Sequence, residues 1–429
     1  MKKKYRIILY TSIFLLCVVA SIILVVKKSN SVYEEESKPK VVKHKSMLSM
    51  NLEQTAGSGD YKTVTQSSWP TEGYKFNAEL SKCENGSTLS WDDTKKAVIV
   101  SGNLSDKCYV YFDIYQPTLA EYIKSQYTGT QGENNIYYHD SDLANGAGDN
   151  SYRYAGANPN NFVCFGTTES PCPTDNLYRI IGVFGENYHG VTGKQLVKLI
   201  KYDYMTTDEL GTDGDYSQTY KEWGMDSTYK GTYGDGERIG VYYWNYKATG
   251  SATNTWSTSL LNKTNLNTNF INNIGTTWAN KIATVTWKVG GNTWANIGTK
   301  TSSVAYTNEI TNPVTTNTTD NATTYSAKIG LMYVSDYGFA ASPDAWTLTM
   351  SSYNNTTATN NNWMYMGLYE WTISRYADYA NYAFGVYFDG YVDNNLVSSD
   401  YGVRASFNLE SSVSYVSGSG SMSDPIVIN

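Results

Sequence analysis

Hydrophobicity along the chain changes character at a few sharp points. Residues 7–26, opening on Ile7 and closing on Val26, are twenty positions without a charge. Lys2, Lys3, Lys4 and Arg6 precede them, and Lys27 and Lys28 follow. At about 1.5 Å per residue a helix of this length covers the roughly 30 Å hydrocarbon core of a bilayer. A single segment can cross only as a helix, which satisfies its own backbone hydrogen bonds. The pattern predicts a membrane anchor over 1–28, with the more basic N-terminal side inside. A cleaved signal peptide is the competing reading, with its best site after Ala20; the apolar run continues six residues past that point. Cys17 follows Leu15 and Leu16 and lacks the small residue expected before a lipidated cysteine.

Residues 29–68 are rich in Lys, Glu, Ser and Gly and read as a stalk with too few apolar positions for a core. From 69 to 115 the pattern turns to β. Ala97-Val-Ile-Val100 and Tyr109-Val-Tyr-Phe-Asp-Ile114 are β-branched and aromatic runs, punctuated by Asn85-Gly86 and Gly102-Asn103. Thr118, with Glu121 three positions on, predicts a capped short helix over 118–126. Residues 116–175 read as a Gly-, Asn- and Tyr-rich connector, and 176–429 as the large domain. There, 178–184 and 195–202 are strand candidates, and the three- and four-residue spacing over 256–274 predicts one or two amphipathic helices. Further strands are expected at 328–335, 363–374, 383–388 and 402–409, with 425–429 as a closing edge strand. This order of elements predicts an α+β fold.

Composition and charge refine the picture. Residues 1–45 carry ten Lys/Arg against three Glu, or +7, so with a whole-chain charge of −7 the remainder carries −14. An acidic exterior argues against nucleic acid and against anionic lipid as partners. Cys83, Cys108, Cys164 and Cys172 are an even set beyond an export signal, which predicts disulfides. Of three possible connectivities, proximity in sequence favours Cys83–Cys108 and Cys164–Cys172. No Cys-x-x-Cys spacing occurs, and none of His44, His139 and His189 lies near two cysteines, so no metal or other cofactor is expected.

Several words in the large domain carry a family resemblance. They are Asn176-Leu-Tyr-Arg-Ile-Ile-Gly182, Trp256-Ser-Thr-Ser-Leu-Leu-Asn262, Trp371-Thr-Ile-Ser-Arg375, Tyr401-Gly-Val-Arg404, and Gly418-Ser-Gly-Ser421 with Asp424-Pro-Ile-Val-Ile428. In order and spacing this set resembles a group of uncharacterised surface domains from Gram-positive gut bacteria. Its ending also resembles the C-type-lectin-like fold, including the branch with formylglycine-generating enzymes. The resemblance implies that strands from the two ends of the domain meet, with 178–184 beside the last strands and a ligand surface on 371–404 and nearby loops. Two departures matter. No Cys follows Cys172, so the late cysteines of the formylglycine enzymes are missing, and no Glu-Pro-Asn-like triplet supports a calcium–sugar site.

Candidate chemistry is sparse. Three histidines leave few options for a nucleophile triad. His139 beside Asp140 reads as a loop hydrogen bond and His189 as a solvated turn residue. Glu370 with Asp378 is the best carboxylate pair for glycoside hydrolysis. Asp213, Asp215, Asp235 and Glu237 read as turn chemistry. The strongest feature is Tyr376, Tyr379, Tyr382, Tyr387 and Tyr391 interleaved with Asp378, Asn381 and Asp389. Tyrosine offers wide amphipathic contact at low entropic cost, and Asn adds adaptable hydrogen bonds. These eight residues form the predicted ligand-binding set; Trp371, Arg375 and Arg404 read as scaffold. The function expected is a non-catalytic, membrane-anchored extracellular protein that binds another protein or a glycan. A structural fibre component and a cell-wall hydrolase are the alternatives.

Overall fold

The computed structural model describes residues 48–65, 68–70, 73–223, 228–313, 322–354 and 359–429. The predicted anchor over 7–26 and the first part of the predicted stalk lie outside the described residues. Among the described residues no helix is long and apolar enough to cross a membrane. The chain divides into two compact units, with the boundary between Gln116 and Pro117.

The first unit contains β1 (Leu48–Glu53), β2 (Tyr61–Val64), β3 (Tyr74–Phe76), β4 (Lys82–Cys83), β5 (Thr88–Asp92), β6 (Ala97–Ser101) and β7 (Cys108–Ile114). The main sheet runs β2-β1-β7-β3, with β4 also on β7, while β5 and β6 form a separate hairpin. Residues 48–64, expected in the stalk, are therefore part of this unit. The reason is alternation: in β1, Met50 and Leu52 are buried and stand opposite Val110 and Phe112 of β7. Trp69, Phe76 and Trp91 surround the Phe112 ring at 5.6–5.9 Å. So small a core is marginal alone. The Cys83–Cys108 disulfide ties β4 to β7 across 25 residues and, by loop closure, stabilises the unit by roughly 3 kcal/mol.

The second unit is mixed α+β. The predicted helix near 118 is α1 (Leu119–Ser125); the Thr118 hydroxyl accepts from the Glu121 N–H while the Glu121 carboxylate accepts from the Thr118 N–H. There follow β8 (Ile136–His139), β9 (Ser151–Tyr154), β10 (Phe162–Cys164), β11 (Leu177–Phe184), β12 (Leu196–Lys201), β13 (Tyr216–Thr219) and β14 (Gly240–Tyr243). The helical stretches Leu261–Phe270 and Ile271–Ala279 continue one into the other, where the spacing of apolar residues anticipates them. Next come β15 (Val285–Lys288), β16 (Thr324–Ala327), β17 (Ile329–Gly330), α2 (Val334–Ala340), β18 (Glu370–Arg375), β19 (Tyr382–Val386), β20 (Val392–Leu396), β21 (Asp400–Gly402), β22 (Ser406–Asn408), β23 (Tyr415–Ser417) and β24 (Val427–Ile428).

Two sheets organise this unit. One runs β17-β22-β12-β11-β9-β8 with β10 also on β11; the other runs β13-β14-β21-β18-β19-β20. Three expectations change here. The connector 116–175 is integral, because α1, β8, β9 and β10 all belong to this unit, and the Cys164–Cys172 disulfide closes the loop after β10. Residues 178–184 do not adjoin the last strands directly: β12 lies between β11 and β22. The 328–335 segment is a strand only at 329–330, because Asp336 accepts from the Tyr333 N–H and starts a helix. The ends of the unit do meet: the Leu119 N–H donates to Val413 O, Cys164 N–H to Ile426 O and Tyr415 N–H to Pro117 O. A large apolar core, with Trp244, Trp256, Trp287, Trp346 and Trp371 fully buried, fills the space between elements, and a smaller separate cluster gathers Tyr204, Ile239, Val241 and Leu368.

Candidate functional site

The predicted binding residues all lie between β18 and the turn that follows β19. β18 lies inside its sheet, between β21 and β19, and is buried at every position. Its end releases the chain into the 376–381 loop. Tyr376 turns back and donates its N–H to Tyr382 O, and Tyr382 N–H reaches Tyr379 O. The rings of Tyr376, Tyr379 and Tyr382 form a triangle with centroids 5.6–6.2 Å apart. Tyr376 is its buried base, packed edge-on to Phe384. Burial, together with a hydrogen bond to Asp378, pushes its phenol up to about 12. Tyr382 is half-buried, and Tyr379 is 59% exposed, with Asp378 exposed beside it. Asn381 is half-buried, and its carbonyl accepts from the Val397 N–H.

The loop is held from beneath by Asn254, which sequence reasoning missed. Its side chain is fully buried, and the two hydrogens of Nδ2 are shared among the carbonyls of Tyr376 (2.7 Å), Tyr379 (2.9 Å) and Tyr382 (2.7 Å). Its own N–H donates to Ala380 O. One residue, through its side chain and its backbone, thus sets four carbonyls of a seven-residue turn. Nothing in the sequence singles out Asn254 from the other asparagines, because its role depends on a partner more than 120 residues away. Two more exposed apolar side chains border this pin. Leu396 stands opposite Tyr382 in the β19–β20 pair, and Tyr246 stacks on Tyr243 next to Asn245, whose N–H donates to Val397 O.

Tyr387, Asp389 and Tyr391 are elsewhere. They sit at the turn joining β19 to β20, roughly 15 Å from Tyr382 at the strand rise. Tyr387 and Tyr391 stack at 4.5 Å and continue through Tyr369 and Tyr401 to Trp371. The turn is clamped by Tyr337 Oη, which donates to Gly390 O, and by Tyr365 Oη, which donates to Phe388 O. Gly390 has φ +98°, and a Cβ there would approach the Tyr353 carbonyl oxygen to 3.0 Å, so glycine is required. The sequence cluster is therefore two clusters at opposite ends of one hairpin.

The candidate chemical groups take buried structural positions. Glu370 does not face Asp378: it is buried, and Arg404 Nε donates to its Oε1 at 2.8 Å. His189 is not solvated. Its Nδ1 accepts from the Val191 N–H, which leaves Nε2–H to donate to Phe184 O, and burial lowers its basicity. His139 is fully buried, accepts at Nδ1 from the Ala147 N–H and packs against Phe339 and Trp346 rather than pairing with Asp140. Asp215 is buried and accepts from the N–H groups of Tyr246 and Leu261, while Asp235 accepts from the Glu237 N–H. Arg375 and Arg404 are buried scaffold, as read from sequence. Among the described residues no group of three or more His, Cys, Asp or Glu is arranged to hold a metal ion.

A second feature went unseen in the sequence. Arg153, Lys198, Glu309 and Asp336 are all buried inside the aromatic core. The one visible signal is Lys198, placed among Leu196, Val197, Leu199 and Ile200 where both strand faces are apolar. Comparison with protein-family models, with curated proteins and with solved structures found no match.

Proposed function

We propose that this chain is a membrane-anchored, non-catalytic extracellular protein that binds a protein or glycan, with the loop at 376–382 as the centre of its ligand surface. The observation that carries the reading is the combination at Tyr379: a wide aromatic ring left open to solvent on a backbone that Asn254 fixes. A loop ordered before binding loses little entropy on contact, and a Tyr–Asp–Asn mixture suits both protein and sugar surfaces. Leu396 and Tyr246 extend the surface. Two disulfides support an oxidising compartment. The meeting of strands from the two ends of the second unit supports a C-type-lectin-like arrangement of the kind the sequence resembles.

The test is a glycan array together with a panel of extracellular proteins, probed with residues 29–429. Tyr379→Ala is expected to lower affinity for the ligand so found by at least about tenfold, as at an interface hot spot. Tyr391→Ala, at the far turn, is expected to bind normally if it folds. Undiminished binding by a Tyr379→Ala/Tyr382→Ala double variant sinks this surface.

A further inference from the structure

The buried cluster holds an amine and a carboxyl group in reacting geometry. Lys198 on β12 and Asp336 in the first turn of α2 are both fully buried, and Lys198 Nζ lies 2.7 Å from Asp336 Oδ2. An amine in such contact has its nitrogen roughly 3–3.5 Å from the carboxyl carbon, the separation of a near-attack conformer. Tyr188 touches both partners: Lys198 Nζ donates to its hydroxyl at 2.6 Å, and that hydroxyl donates to Asp336 Oδ1 at 2.7 Å. It offers a short path for a proton from ammonium to carboxylate. Arg153 Nη1 also lies 3.7 Å from Oδ1 and is placed to polarise a carbonyl there.

The surroundings favour a neutral amine, because burial pulls Lys198 below its ordinary value. The rings of Tyr333, Tyr188 and Trp287 surround Lys198 Nζ at 4.5–5.0 Å, and Phe184, Phe339 and Tyr306 surround the Arg153 guanidinium at 4.7–5.0 Å. The ring faces themselves attract an ammonium. Opposing them, Arg153 places a second cation in the same enclosure, and burial far from water penalises both charges. On the acid side, Glu309 is a second buried carboxyl group. It accepts from the N–H groups of Val334 and Ser335 and from the Ser374 hydroxyl, next to Asp336 in the chain. Burial, and to a lesser extent the Asp336 carboxylate, hold Glu309 above the usual carboxylate range.

We infer that Lys198 and Asp336 condense without an enzyme to an intramolecular isopeptide bond. One proton passes from the ammonium through Tyr188 to the carboxylate. The neutral Nζ attacks Cγ, and the Nζ–Cγ bond forms. A second proton passes from nitrogen to Oδ2, which also takes the first from the Tyr188 hydroxyl 2.8 Å away; the Cγ–Oδ2 bond breaks and Oδ2 leaves as water. Oδ1 remains as the amide carbonyl, facing Tyr188 and Arg153. Ammonium and carboxylate together equal amide plus water, so no oxidant, reductant or activated donor is needed. A core that excludes bulk water removes the mass action that normally drives hydrolysis. The product ties β12 to α2 across 138 residues of chain.

Peptide mass spectrometry on the full chain, reduced and digested with trypsin, decides this. Trypsin cannot cut after an acylated lysine. Expected is one branched peptide joining residues 195–201 to 329–375, lighter than the two together by one water molecule, with fragmentation placing the branch on Lys198 and Asp336. Lys198→Arg should abolish it. Cleavage after Lys198 with an unmodified 329–375 peptide overturns the inference, as does a branch placed on Asp344 or Glu370.

Discussion

The two ends of the β19–β20 hairpin use the same amino acid for opposite purposes. At one end Tyr376, Tyr379 and Tyr382 form a triangle whose apex faces solvent, and the support comes from below, through Asn254. At the other, Tyr387 and Tyr391 join a stack running through Tyr369 and Tyr401 to Trp371, and the support comes from the rings themselves. Aromatic side chains held by a backbone pin remain available to a partner. Those held by one another have already spent their faces on the fold. A cluster of tyrosines in sequence therefore does not make one surface.

Breaking each support in turn should separate the two roles. The largest effect is expected for Asn254→Ala. It strips hydrogen bonds from three loop carbonyls and should cost about 3 kcal/mol by denaturant unfolding, with ligand binding lost as the loop disorders. Next is Tyr387→Ala, which removes a half-buried ring from the stack and should cost about 2 kcal/mol. Tyr379→Ala should shift stability by no more than about 0.5 kcal/mol, since its ring is open to solvent. A Tyr379→Ala loss as large as that of Tyr387→Ala would erase the distinction drawn between the two ends.

The smallest effect is electrostatic. The folded state raises Tyr376 from 10.0 to about 12, so folding favours its protonated form. Its contribution to stability is complete below pH 10 and fades as pH rises toward 12, because there the unfolded chain releases the proton first. Ultraviolet difference titration of Tyr376→Phe against the parent chain should show one fewer phenol ionising late. A normal midpoint for that phenol would mean that Tyr376 is more open than its packing on Phe384 implies.

The outer strand of this hairpin bears on self-association. The N–H groups of Asn394 and Leu396 on β20, at the edge of its sheet, are taken by the side chains of Asp393 and Asn395. Donors already engaged are poor templates for a further strand. That weighs against a fibre growing from this edge.

By itself the chain determined whatever depends on near neighbours. The capping pair Thr118 and Glu121, the alternation in 109–114, the apolar run in 178–184, and the spacing of Leu261, Leu266 and Phe270 each act within a few residues, and the elements appear where those patterns lie. The same holds for the proximity-favoured disulfides, whose short loops cost little entropy to close. Only the tertiary structure decided that 48–64 joins the first unit, that the tyrosines divide between two ends of a hairpin, and that Asn254 governs one of them. It alone brought Lys198 to Asp336 and sealed Glu370 against Arg404. In each of those cases the partners are tens to hundreds of residues apart. Which polar group is buried beside which is then a property of packing, where an unpaired charge or carbonyl costs more than local preference can offset.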